Sequence, residues 1–329
     1  MQIEHFFIQY NLYSSIISKT IPRLYMSKKP SLLQQFRSFY FQNKPQDIEQ
    51  AIEYFAVFGG MSWSVEMTKS LEELIENKVL KNYTYIHGDI TKVTHSDKIS
   101  HSLLSAAAVG DGRIHSALKR ARISRAEGED AVDALCDKGI LKTEFSLESP
   151  PNADEKVDEK LNFNTPFMRF WFAFVSPFFK TIKEGDFKEA KESFANRKSE
   201  FFELTFLKLS HELVKKSFKD DPIVEIGSYW DRNTQIDILA KTKSGKVVAG
   251  ACRYSNQKAK KSSLTKLQEQ CHLAKLKPDI SIIVSKGGFS NELKALKGED
   301  VRLFALKNFK TLIEDLSEKD FIECVGKKY

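Results

Sequence analysis

The side chains best suited to chemistry in this 329-residue chain are cations rather than nucleophiles or metal ligands. Between Lys241 and Pro278 stand ten Lys or Arg (241, 243, 246, 253, 258, 260, 261, 266, 275 and 277) against one acid, Glu269. That segment carries +9 in a chain of net charge +7, so the remainder sums to −2. Residues 1–45 hold a second excess, six basic against one acidic. One-sided runs of this kind favour phosphate-rich partners, and the competing reading is a solvated surface that keeps the protein soluble. Arg253, Lys258, Lys260, Lys261 and Lys266 are the candidate phosphate contacts, with Ser262 and Ser263 as hydroxyl donors beside them. Tyr229, Trp230 and Tyr254 lie close by in sequence, where they offer rings for base stacking; core packing is the better reading of Trp230.

Other chemistries lack their residues. Cys136, Cys252, Cys271 and Cys324 are far apart and form no C-x-x-C, and the seven histidines are dispersed, so no metal site is expected from Cys and His. No G-x-x-x-x-G-K-[ST] run exists to wrap a nucleotide's phosphates; Gly245-Lys246 reads as a hairpin turn and Gly326-Lys327 as tail. G-x-S-x-G and G-x-G-x-x-G are absent as well. No apolar run approaches the roughly 20 residues of a membrane span. No basic start followed by an apolar run and a small-residue cleavage site opens the chain. A cytoplasmic protein with reduced thiols, no nucleotide and no membrane partner is expected.

The elements that must position these residues fall into four stretches. Residues 1–97 read as helical, with one pattern through Ile48, Ile52 and Phe55 ending at Gly59-Gly60. A second helix runs through Leu71, Leu74, Ile75 and Leu80, with Ser70 and Glu73 at capping-box spacing. Positions 84–97 read as a loop or a helix start. Residues 98–165 read as a winged helix: helices over 99–109, 112–122 and from Ser124, a strand from Ile140, an acidic wing tip over 146–160 and a returning strand over 161–163. The third helix carries two basic and five acidic residues over 124–138, a net −3 that phosphates repel. The second carries Arg113, Lys119, Arg120 and Arg122 with no acid and is the better nucleic-acid face. Residues 166–200 read as an aromatic-rich helical connector that buries itself against neighbours, with a membrane-surface helix as the weaker rival. Residues 201–329 read as an α/β unit with helix 201–218, strands 222–230, 235–241 and 246–254, helix 263–276, strand 280–284, a short helix, strand 301–305 and helix 307–316.

Several segments, in order, resemble one family. VEIGSYWDRNTQIDILA at 224–240 followed by KVVAGACRYS at 246–255 is similar to the C-terminal restriction-endonuclease-like domain of archaeal-type AAA+ ATPases, which belongs to the PD-(D/E)xK nuclease superfamily. NTPFMRFWFAFVSP at 164–177 and SEFFELTFLKL at 199–209 resemble the segments that precede that domain, and IEYFAVFGGMSWSVEM with SLEELIENKVL resembles the lid helices after the ATPase core. The likeness spans about residues 46–305. It implies an α+β multidomain chain: an AAA+ lid-like helical region (1–97), a winged helix (98–165), the connector (166–200) and a restriction-endonuclease-like domain with a mixed central sheet (201–329). The P-loop ATPase core expected ahead of residue 46 has no counterpart.

The departures decide the expected chemistry. The resemblance places the family's aspartate on Asp237 and its helix acid on Glu203, but its motif glutamate on Ala251 and its lysine on Arg253. Such sites hold Mg²⁺ on carboxylates of adjacent strands, and alanine offers no oxygen. Arginine keeps the charge but does not give up a proton, so it suits gripping phosphate rather than moving a proton. The expectation is therefore a non-catalytic nucleic-acid-binding protein, with DNA as the first candidate ligand and no cofactor. Two alternatives remain open. A metal-dependent nuclease would hold Mg²⁺ on Glu203, Glu225 and Asp237; a protein-interaction scaffold would use the winged helix and the connector.

Overall fold

Short polar residues start the helices where the pattern places them. The computed structural model describes residues 30–61, 63–94, 97–151 and 157–322. Lys19, Arg23, Lys28 and Lys29 of the N-terminal basic excess, part of the wing tip, Cys324 and Gly326-Lys327 lie outside these residues. Helix α1 (Leu32–Asn43) begins at Ser31 in a reciprocal capping box with Gln34. Helix α2 (Ile48–Phe58) begins at Asp47, whose carboxylate accepts the Gln50 N–H, and ends at Gly59. Gly60 has φ +77°, and a Cβ there would lie 2.2 Å from Thr165 Cγ2, so only glycine lets the α2 exit pass so close to the connector. Ser70 caps α3 (Leu71–Leu74), which continues as a π-helical turn over Ile75–Leu80. Residues 84–97, read as loop or helix start, belong mostly to helix α4 (Tyr83–Thr94).

Next come α5 (Lys98–Ala107), α6 (Ile114–Ala121) and α7 (Arg125–Asp137), then an antiparallel hairpin of β1 (Leu141–Glu144) and β2 (Lys160–Phe163). Ser124 caps α7 and accepts the Glu127 N–H. Three helices and a hairpin thus occur in the expected order.

The aromatic connector forms α8 (Pro166–Phe174), with Pro166 at its first turn, and every residue of it except Arg169 is buried. Its rings meet edge to face across to the next long helix: Phe174 lies 5.2 Å from Phe194 and 5.1 Å from Phe201. Arg169 donates to the Phe201 carbonyl at 2.8 Å and stacks over the Phe201 ring. Among the described residues no helix is long and apolar enough to cross a membrane. After α9 (Phe179–Lys183), helix α10 (Lys188–Ser217) runs unbroken for 30 residues through position 200.

The C-terminal part is α+β, built on a five-stranded sheet in the order β3-β4-β5-β6-β7. The strands are β3 (Ile223–Trp230), β4 (Gln235–Thr242), β5 (Val247–Arg253), β6 (Ile280–Ser285) and β7 (Val301–Ala305). The first three pair antiparallel; β5, β6 and β7 pair parallel, the crossover between β5 and β6 carrying helix α11 (Lys261–Leu273). A short helix α12 (Asn291–Ala295) precedes β7. The last element, read as an α-helix over 307–316, is a 3₁₀-helix over Leu306–Ile313. Leu306, Phe309 and Leu312 recur every third residue, which a three-residue turn stacks on one face. One side of the sheet (Ile238, Ala240, Val248, Cys252) shares a core with α10, the helices ahead of it and Phe309; the other (Ile236, Leu239, Ala249) packs on α11 through Leu264, Leu267 and Cys271.

Candidate functional site

Asp237 owes its placement to a break in strand pairing. Gly227 pairs with Leu239 and Tyr229 with Ile236, so Ser228 faces both Asp237 and Ile238 in a β-bulge. The bulge explains why Ile236 and Leu239, three residues apart, share a face. The Asp237 carbonyl, out of the ladder, accepts from Ser228 Oγ at 2.8 Å and from His211 Nε2 of α10 at 2.8 Å. On the other side of β4, pairing with β5 stops at Ile238 and Gly250; one step further in the same register, Asp237 stands opposite Ala251. The Asp237 carboxylate accepts the Cys252 N–H at 2.9 Å and the Gln235 side-chain amide at 3.4 Å.

These residues open into a cleft of about 280 Å³ between the β1–β2 hairpin, α10 and the sheet. Glu203 and Asp237 both line it. Burial pushes the Asp237 carboxyl above the ordinary aspartate value, and the Cys252 N–H, Gln235, Lys160 and Lys266 offset that only in part. Glu203 is raised too, first by desolvation and then by the charges of Asp237 and Glu200, with Arg253 opposing. The third carboxylate does not join them. Glu225 is exposed on β3 opposite Lys241, with 3.8 Å between their charged atoms, and it does not line the cleft. Among the described residues no three His, Cys, Asp or Glu side chains gather as a metal-holding group.

Arg253 follows Ala251 on β5 and donates to Ser263 Oγ of α11 at 3.2 Å. Lys258, Lys260, Lys261 and Lys266 are all exposed, on the approach to α11 and along it. The rings are not: Tyr229, Trp230 and Tyr254 are buried, so none can stack on a base. Trp230 donates its indole N–H to the Asp158 carbonyl at 2.9 Å and takes Ser146 Oγ as the partner of its own N–H, which docks the hairpin on β3. Tyr254 donates to Glu53 Oε1 at 2.5 Å and docks the sheet on α2. Of the basic residues on α6 and beside it, Arg113 donates to the Asp231 carbonyl at 2.7 Å, and Arg120 donates to the Ala106 and Val109 carbonyls. Both guanidiniums therefore already hold backbone together, whereas Lys119 and Arg122 are exposed.

The cleft also contains groups that no motif marks. Lys208 of α10 pairs with Glu144 of β1, and Asn162 donates to the same carboxylate at 2.7 Å. Lys160, the first residue of β2, donates to Gln235 Oε1 at 3.2 Å and lies 4.3 Å above the Trp230 ring. Its ammonium is lowered to about 8, by burial first and then by Arg113. Nothing in the acidic stretch before Lys160 signals this; only the docking of the hairpin on Trp230 brings it to Asp237.

The raised Asp237 carboxyl has a consequence for stability. An acid whose folded pKa exceeds its unfolded value contributes stability at low pH that is lost as the pH rises. Asp237→Asn, which keeps an acceptor for the Cys252 N–H, is therefore expected to raise the urea midpoint at pH 7–8, with the gain fading toward pH 3. Urea titrations of both proteins across that range check this; a lower midpoint for the variant at pH 7 would show that ionised Asp237 supports the fold.

Residues 171–264 match the model of DUF234, a family described as archaeal and bacterial proteins of unknown function. No curated protein and no solved structure matches the chain. The matched span holds Glu203, Asp237, Ala251 and Arg253 together with Lys258, Lys260 and Lys261, while Lys160 and the hairpin that carries it precede the span.

Proposed function

We propose that the chain is a non-catalytic nucleic-acid-binding protein, acting in the cytoplasm, whose C-terminal domain is a degenerate PD-(D/E)xK nuclease fold related to that of archaeal-type AAA+ ATPases and whose residues 98–165 are a winged helix. The observation that carries this reading lies on β4 and β5: Asp237, a half-buried and desolvated carboxylate, is in register with Ala251 one step beyond the last paired residues, Ile238 and Gly250. Ala251 offers no oxygen where the motif glutamate would, and among the described residues no three His, Cys, Asp or Glu side chains gather to hold an ion. Supporting the binding half are Arg253 and four exposed lysines on the adjoining strand and helix, in a segment of net charge +9. Phosphates neutralised by lysine and arginine release counterions, so binding must weaken steeply with salt.

Fluorescence anisotropy with a labelled oligonucleotide tests this, in chelator so that no metal contributes. Affinity is expected to fall by at least tenfold between 50 and 200 mM salt, on the order expected for several phosphate contacts. Absence of binding to DNA and RNA alike at 50 mM salt, a condition that favours such contacts, would dispose of the proposal.

A further inference from the structure

Lys160 reaches into the cleft from the hairpin, not from the sheet or helix where the basic run lies. An ammonium has three donors. One of Lys160's goes to Gln235, whose own amide meets Asp237. The charged groups around it come from every neighbouring element: Arg113 at the start of α6, Asp111 before it, Glu144 of β1, Lys208 of α10 and Asp237 of β4. Glu144 is already matched by Lys208 and Asn162, and Arg113 by the Asp231 carbonyl. With Gln235 on one side and the Trp230 ring 4.3 Å below it, the Lys160 ammonium partly offsets Asp237 and keeps a donor for a ligand. Half-buried Phe163, Leu204 and Leu207 supply apolar surface in the same cleft.

Size limits the ligand. About 280 Å³ lies just below the range of small-ligand sites, which starts near about 300 Å³. That is room for about one nucleotide, not for a base-paired duplex. We propose that the cleft takes one nucleotide of a single strand, with its phosphate on Lys160 and its base against Phe163, Leu204 and Leu207. This deepens the nucleic-acid reading above and rests on it.

The test compares a labelled single-stranded oligonucleotide with the blunt duplex of the same sequence, for the wild type, Lys160→Ala, Lys160→Arg and the exposed control Lys310→Ala. The wild type is expected to prefer the single strand. Lys160→Ala should weaken single-strand binding roughly tenfold, the scale of one charge-assisted contact, and leave duplex binding unchanged. An amine that titrates near pH 8 must hold its proton to grip phosphate, so wild-type affinity falls from pH 7 to pH 9. Lys160→Arg, which stays charged, should bind equally at both. The same Asp111, Arg113, Glu144, Lys208 and Asp237 surround position 160 in both proteins, so the difference between their pH profiles reports Lys160. Should Lys160→Ala fail to fold, that comparison decides alone.

Parallel pH profiles, or Lys160→Ala binding the single strand as tightly as Lys310→Ala does, overturn the proposal while salt-sensitive binding by the wild type keeps the broader reading intact. Displacement of the strand by stoichiometric nucleoside monophosphate also overturns it, in favour of a free-nucleotide pocket. A wild type that binds neither strand nor duplex removes both readings.

Discussion

Replacing Lys258, Lys260, Lys261 and Lys266 together by alanine is expected to weaken nucleic-acid binding by roughly 100-fold or more at low salt and to lower the salt slope by about one unit per lysine. The four side chains are exposed, so their removal takes charge without opening a core. Surface changes of this kind usually alter stability by no more than about 0.5 kcal/mol, which separates loss of binding from loss of fold. Isotherms at several salt concentrations give both quantities. The paired variant Lys119→Ala/Arg122→Ala on the α6 side is the comparison. Should that pair lower the slope more than the four lysines do, the ligand faces the three-helix region instead of the sheet. The acidic α7 argues against that outcome, because its net charge repels phosphate.

Acidification from pH 6.5 to 4 is expected to cost the fold roughly 3 kcal/mol through His211 alone. Burial, then the nearby Lys208 charge, lower this imidazole to about 4. A histidine depressed in the folded state contributes stability that is complete above its unfolded value near 6.5 and is lost as the pH falls through 4. The same ring holds the Asp237 carbonyl at the bulge, so the cost falls on the element that positions the candidate site. His211→Gln keeps a donor for that carbonyl and has nothing to protonate. Its chemical-denaturation free energy should therefore fall by roughly 2–3 kcal/mol less than that of the wild type over this range. Parallel curves would mean that His211 is protonated without penalty in the folded state.

Much of the sheet could be read from local pattern. Residues 222–230, 235–241, 246–254, 280–284 and 301–305 all came within a residue or so of the observed strands, because alternation and turn residues at Asn233 and Ser244-Gly245 act locally. Local reading leaves α4 between a loop and a helix start, because its buried face of Tyr83, Ile86 and Ile90 is interrupted in sequence by Gly88 and threonines. The bulge at Asp237 was hidden for a different reason. Its stabilising partners, His211 and Ser228, are 26 and 9 residues away, and the pattern of β4 alone does not reveal an unpaired carbonyl. The basic run was visible as composition, but the engagement of Arg113 and Arg120 with backbone carbonyls was not. Charge type says nothing about which donors the fold has already used. Lys160 was invisible for the converse reason: an acidic neighbourhood in sequence becomes the edge of a cleft only after the hairpin docks.

One measurement bears most directly on the claim that binding outlived cutting. The wild type, Asp237→Ala and a blank are incubated with labelled single- and double-stranded oligonucleotides in Mg²⁺ or Mn²⁺, and product lengths are read on a denaturing gel beside a binding isotherm from the same samples. The expected result is salt-sensitive binding by the wild type with every strand recovered at full length. Fragments produced by the wild type and not by Asp237→Ala would contradict it, and would show that Glu203 and Asp237 seat a working metal without a carboxylate at position 251.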